Sequence, residues 1–144
     1  MHRTTALAAL LLTLAACGYV PFSGGELQGT LTPHPGDWTE AASPDIIELE
    51  TNPQDPYSVK LWVIGAGENL YVHAGANRAT WVEHMEQDPN VRLKIADALY
   101  ELRAERVTEQ AEFDAFAAVY EGKYGNEPRN GNVDEAYLFR LLPR

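Results

Sequence analysis

Apolar and polar residues alternate along much of the chain from Asp45 onward. Ile47, Leu49 and Thr51 alternate with Glu48 and Glu50, which predicts a strand with one wet face. Asn52-Pro53-Gln54-Asp55-Pro56 predicts a turn, because its two prolines are barred from a central ladder. Residues 57–64 predict a second strand, with Val59, Leu61 and Val63 on one face and Lys60, Trp62 and Ile64 on the other. Gly65-Ala66-Gly67-Glu68-Asn69 predicts a hairpin loop, and residues 70–74 a third strand. Gly75-Ala76-Asn77-Arg78 breaks the pattern. The period then changes: Trp81, Val82 and Met85 form the apolar stripe of a short helix over 79–87.

Asp88-Pro89-Asn90 ends that helix. Val91, Leu93 and Ile95 alternate with Arg92 and Lys94 as a fourth strand, and residues 99–107 predict a fifth. Thr108 is a candidate cap for the next helix, with Glu109 and Glu112 near its positive end. Phe113, Phe116, Ala117, Tyr120 and Tyr124 repeat at helical spacing, and Gly125 marks the stop. Residues 137–142 predict a last strand before Pro143. Six short strands with hairpin connections predict a mainly β fold: a small antiparallel barrel, with helices over its open parts.

The N-terminal residues follow neither period. Met1-His2-Arg3 is a short basic segment, followed by an Ala- and Leu-rich run to Ala16. That run suits a signal peptide and is shorter than the roughly 20 residues needed to span a bilayer. It ends in Leu14-Ala15-Ala16-Cys17, which matches the bacterial lipobox. The expectation is a signal peptide over 1–16 and lipidation at Cys17. Cys17 is the chain's one cysteine, so no intramolecular disulfide competes for the thiol. Two or three acyl chains give stable anchoring at about 0.8 kcal/mol per buried methylene. Gly18 follows the cysteine, which favours an outer-membrane, periplasm-facing location. Residues 17–44 are rich in Gly, Pro, Ser and Thr, and predict a lipidated tether and irregular lead-in, with Trp38 packing on the outside. Residues 45–144 form the expected folded domain.

Charge narrows the partners. The chain carries a net charge of −10, and loss of Arg3 with the signal makes it one unit more negative. This argues against nucleic acid or an anionic lipid surface. No metal-ligand spacing is present, and no serine or cysteine nucleophile sits in a recognised setting.

Two segments carry a family resemblance. They are Tyr71-Val72-His73-Ala74-Gly75-Ala76-Asn77-Arg78-Ala79-Thr80-Trp81 and Asp88-Pro89-Asn90-Val91-Arg92-Leu93-Lys94-Ile95, supported by the closing Phe139-Arg140-Leu141-Leu142-Pro143. The chain resembles the split β-barrel flavin-binding superfamily: pyridoxamine-phosphate-oxidase-like proteins, and especially the deazaflavin-dependent nitroreductase branch. The resemblance implies a six-stranded antiparallel split β-barrel, with a short helix after the third strand and a longer one before the last.

It also implies FMN or a deazaflavin as cofactor, at the interface of a homodimer. The phosphate would lie in the turn of Ala74, Gly75, Ala76, Asn77 and Arg78. The ring edge would lie near Lys60, Leu61 and Trp62 on the second strand, with His73 as a hydrogen-bonding candidate. The implied activity is a membrane-anchored oxidoreductase acting on a quinone-like or nitro-type acceptor. The alternative is a non-catalytic ligand-binding or structural lipoprotein with the same fold. The 52–56 turn departs from the branch, since it carries no basic residue.

Overall fold

The computed structural model describes residues 24–144; the signal segment and Cys17 lie outside the described residues. Eight strands and three helices are present among them. They are β1 (Thr30–Leu31), α1 (Trp38–Ala41), β2 (Ile46–Thr51), β3 (Tyr57–Trp62), β4 (Ile64–Ala66) and β5 (Asn69–His73). There follow α2 (Thr80–Gln87), β6 (Asn90–Ile95), β7 (Ala98–Arg106), α3 (Gln110–Tyr124) and β8 (Leu138–Pro143). None of the described helices is long and apolar enough to cross a membrane.

The sheet runs β3-β2-β6-β7-β8-β5-β4, antiparallel throughout, with β1 added in parallel to β7. Its end strands, β3 and β4, are separated in sequence by Val63 alone. The chain itself therefore joins the two ends of the sheet and closes a barrel. The expected single strand over 57–64 is two strands with different partners. Leu61 pairs with Ile47 of β2, whereas Ile64 pairs with Tyr71 of β5.

Val63 leaves the ladder at this junction, and a buried backbone group without a partner is costly. Helix α3 supplies the partners. The Val63 N–H donates to the Tyr124 hydroxyl at 3.0 Å, and its carbonyl accepts from Lys123 Nζ at 2.8 Å. Lys123 also donates to the carbonyls of Ala42 and Pro44, both at 2.8 Å. Burial holds its pKa below the ordinary lysine value.

The alternation read from the sequence is kept across the break. Ile47, Leu49, Val63, Leu70, Val72, Leu93 and Leu141 point into the barrel, joined by Val82 and Met85 of α2. The opposite face of β5 and β8 packs Tyr71 and Leu138 against Phe113 and Phe116 of α3. Gly125 closes α3 in the left-handed conformation, as expected. Thr108 is not its cap: Glu109 holds that position, with no side-chain capping bond.

The lead-in differs most from expectation. Leu27 is buried, and Trp38 is fully buried rather than outside. Trp38 packs edge-on against Tyr100 at 4.9 Å and donates from Nε1 to His34 at 2.9 Å. Asp37 caps α1 through the Thr39 N–H. Helix α1 reaches this depth because Gly65 faces it: a Cβ on Gly65 would collide with the Trp38 carbonyl oxygen. The hairpin between β4 and β5 is also tighter than expected, with only Gly67 and Glu68 between the strands.

Candidate cavity at the barrel junction

Period-two alternation on β5 sends Leu70 and Val72 inward and turns Tyr71 and His73 toward α3. The same alternation turns Lys60 and Trp62 of β3 to the outer face. The Val63 junction leaves a gap that α3 spans incompletely, and a cavity of about 190 Å³ results. Its lining is Lys60, Leu61, Trp62, Val63, Ile64, Tyr71, His73, Phe116 and Tyr120.

Aromatic rings form the walls. Trp62 stacks on Tyr124 at 4.2 Å with 12° between planes, yet remains 46% exposed. The His73 ring lies 5.4 Å from Phe116 and 6.2 Å from Tyr120. Tyr71 donates its hydroxyl to Glu112 at 2.9 Å, and Glu112 is held by Arg140 at 2.5 Å. Burial, then Glu112, pushes the Tyr71 phenol up to about 12, so its proton stays in place at neutral pH.

His73 is the one lining side chain with a buried polar atom left unpartnered. Its Nε2 is buried and has no hydrogen-bond partner. Such a group costs about 1–3 kcal/mol, and calls for a bound water or ligand. Burial drives its pKa down to about 4, so the imidazole is neutral at pH 7.

This depression has a stability consequence. Below about pH 6.5 the unfolded chain takes up a proton that folded His73 refuses until about pH 4. Stability contributed by the neutral ring is therefore complete above pH 6.5 and lost progressively toward pH 4. The loss is at most about 3 kcal/mol, reduced by the partial exposure of the ring. Denaturant midpoints at pH 7 and pH 4.5 should fall further for the native protein than for His73→Asn. An equal fall in both would remove His73 as the cause.

Of the expected site residues, the structure brings Lys60, Leu61, Trp62 and His73 to one cavity. Ala74, Gly75, Ala76, Asn77 and Arg78 do not line it. In their turn, the N–H groups of Ala74, Asn77 and Ala79 are bonded to the carbonyls of Tyr137, Ala74 and Asn77. Gly75 adopts a φ of +58°, which favours glycine. Arg78 bonds Glu86 at 2.5 Å and lies 3.9 Å from Glu83. Sequence reading missed Tyr71, Phe116 and Tyr120 as lining residues, because their helical and strand spacing reads equally as packing. Among the described residues no cluster of three or more His, Cys, Asp or Glu is placed to hold a metal.

No protein-family model and no curated protein matches the chain. Solved structures do. A candidate pyridoxamine 5'-phosphate oxidase from Listeria innocua aligns with a TM-score of 0.57 at 12% identity, over 73% of this chain and 90% of that one. A candidate 5-nitroimidazole antibiotic resistance protein from Bacteroides thetaiotaomicron also gives 0.57 at 12% identity, over 83% and 86%. An FAD-binding protein from Mesorhizobium loti gives 0.54 at 17% identity, over 74% and 87%. The chain has the split-barrel fold. The expected fold class therefore holds, with two strands more than expected.

A flavin can be tested against this split barrel. Its aromatic cavity, with Lys60 and the unpartnered His73, suits the edge of a planar heteroaromatic ring. The volume of about 190 Å³ falls below the 300–1,000 Å³ typical of cofactor pockets. The phosphate half does not fit the expected turn, because two glutamates already engage Arg78. Within one chain the residues present do not hold a whole phosphorylated flavin.

Proposed function

We propose that this chain is a lipid-anchored envelope protein whose split barrel binds a small planar aromatic ligand without transforming it. The observation that carries the reading is the aromatic cavity at the Val63 junction, with the unpartnered Nε2 of His73 on its wall. Its size suits one or two rings: a cavity of about 150 Å³ already accepts benzene. The anchoring half rests on the lipobox ending at Cys17, and the outer-membrane location on Gly18.

Trp62 lines the cavity and is half exposed, so its fluorescence should report binding. Titrating the full-length protein in detergent with phenol and 2-naphthol should quench that emission saturably. Trp62→Leu should abolish the signal, and Phe116→Trp should weaken binding at least tenfold by filling the space. Absence of saturable binding up to millimolar ligand would sink the reading.

A second reading is a flavin-dependent oxidoreductase reducing a quinone-like or nitro-type acceptor. It draws support from the likeness to an FAD-binding split barrel. It also draws on Trp62 and its cross-strand neighbour Ile46, both exposed beside the cavity, where a second copy would extend the wall. On that reading the purified protein is yellow and dimeric.

A further inference from the structure

Four large apolar side chains are exposed among the described residues: Leu31, Ile46, Trp62 and Val119. Leu31 and Val119 lie on β1 and α3, and a lone exposed apolar residue is ordinary. Ile46 and Trp62 are direct cross-strand partners on β2 and β3, 55% and 46% exposed. Their side chains therefore stand together on the outer face of the sheet. The next outward position on β2 is Glu48, in register with Lys60 on one side and Lys94 on the other. Ile46, Glu48, Lys60 and Lys94 also line an open hollow of about 430 Å³.

The lead-in covers the other end of this same face. Gly24 bonds Ser58 of β3, and Leu27 bonds Glu50 of β2 and Arg92 of β6. The Ile46–Trp62 end is left bare. Trp62 lies four residues along β3 from Ser58, about 13 Å at strand spacing. Six residues separate Gly24 from Cys17. Even fully extended, such a link reaches only about 25 Å. A folded chain of this length is roughly 35 Å across. An anchor at Cys17 thus holds the face that carries Gly24 toward the membrane and keeps the opposite side away.

We propose that the Ile46–Trp62 face docks on the bilayer surface in which Cys17 is anchored. Trp62 sits at the level of the lipid headgroups, where an apolar ring with a polar N–H is favoured. Lys60 and Lys94 lay their stems along the face with their ammonium groups among the headgroups. This rests on the anchoring reading above and adds the surface that meets the membrane. A second copy is the weaker occupant, because two half-exposed side chains fall well short of the roughly 800 Å² per partner of a standard interface. The net charge of −10 makes a zwitterionic surface the better match. Trp62 also lines the cavity, so this orientation turns the cavity toward the bilayer.

The test places the full-length lipidated protein in phosphatidylcholine vesicles, with and without bromine on the acyl chains. Bromine quenches a tryptophan only on close approach. Trp38 and Trp81 are 0% and 5% exposed, so Trp62 is the reporter. The Trp62 emission, taken as the difference from Trp62→Phe, should shift to the blue and fall at least twofold in brominated vesicles. Ile46→Asp, an exposed change that leaves the lipid in place, should stay vesicle-bound and lose most of that quenching. Vesicle-bound protein with unquenched Trp62 would overturn the docking face and leave the anchor intact. Unquenched Trp62 that becomes shielded from acrylamide as protein density on the vesicle rises would give the face to a second copy instead, and also overturn the proposal. Protein that does not float with the vesicles would remove the anchoring reading and the docking face together.

Discussion

Arg92→Ala should lower the unfolding free energy by about 3–5 kcal/mol, the range for breaking one side of a buried ion pair. Glu50 is only 4% exposed, and Arg92 grips it with two parallel bonds: Nε to Oε1 at 2.8 Å and Nη2 to Oε2 at 2.7 Å. The two residues are direct cross-strand partners on β2 and β6. Both also hold the lead-in. Glu50 accepts the Leu27 N–H at 2.6 Å, and Arg92 donates to the Leu27 carbonyl at 3.1 Å. Removing the guanidinium strands a carboxylate in a site built for a charged partner.

Arg92→Lys should recover little, since a point charge cannot reproduce the fork. The double change Glu50→Gln with Arg92→Met should be less destabilised than Arg92→Ala alone, because no buried charge is left behind. Urea unfolding of the three variants measures this. A loss below about 1 kcal/mol in Arg92→Ala would mean that Glu50 reaches water when its partner is gone.

Trp38→Ala should cost a similar amount, about 3–5 kcal/mol, the range for deleting a buried aromatic side chain. Trp38 is fully buried and touches both the barrel and the lead-in. Its indole packs on Tyr100, and its own carbonyl sits against Gly65. Trp38→Phe should retain most of the stability, losing the bond to His34 and part of the volume. Thermal unfolding of both variants distinguishes this from a peripheral tryptophan, which would cost under 1 kcal/mol in either form.

Trp38 also shows where sequence reading reaches its limit. A single aromatic residue among Gly, Pro and Thr has no periodic neighbours, so nothing local marks it as core. Ile47, Leu49, Val91 and Leu93 were legible because each repeats on one face of a strand. The junction at Val63 was hidden for the opposite reason. Alternation runs unbroken from Val59 to Ile64, and alternation says which face a residue takes, not which strand it pairs with. The change of partner depends on Lys123 and Tyr124, about sixty residues later.

The site divides in the same way. Lys60, Leu61, Trp62 and His73 were legible as a set through the family resemblance, and they share one cavity. The 74–78 turn was legible as a turn. That Arg78 faces Glu83 and Glu86 depends on the course of α2, which no turn motif encodes.

The Val63 junction has a consequence for behaviour in a crowd. Open sheet edges invite pairing with other chains, a hazard that grows when many copies share one surface. Both end strands here are occupied. Gly24 bridges to Ser58 on β3, with N–H to carbonyl bonds of 2.8 and 3.0 Å in each direction. Helix α1 covers β4, its first N–H bonding the Gly67 carbonyl at 2.7 Å. Gly24 and helix α1 thus double as guards against edge-to-edge aggregation. Removing Gly24 would expose β3 and favour clustering.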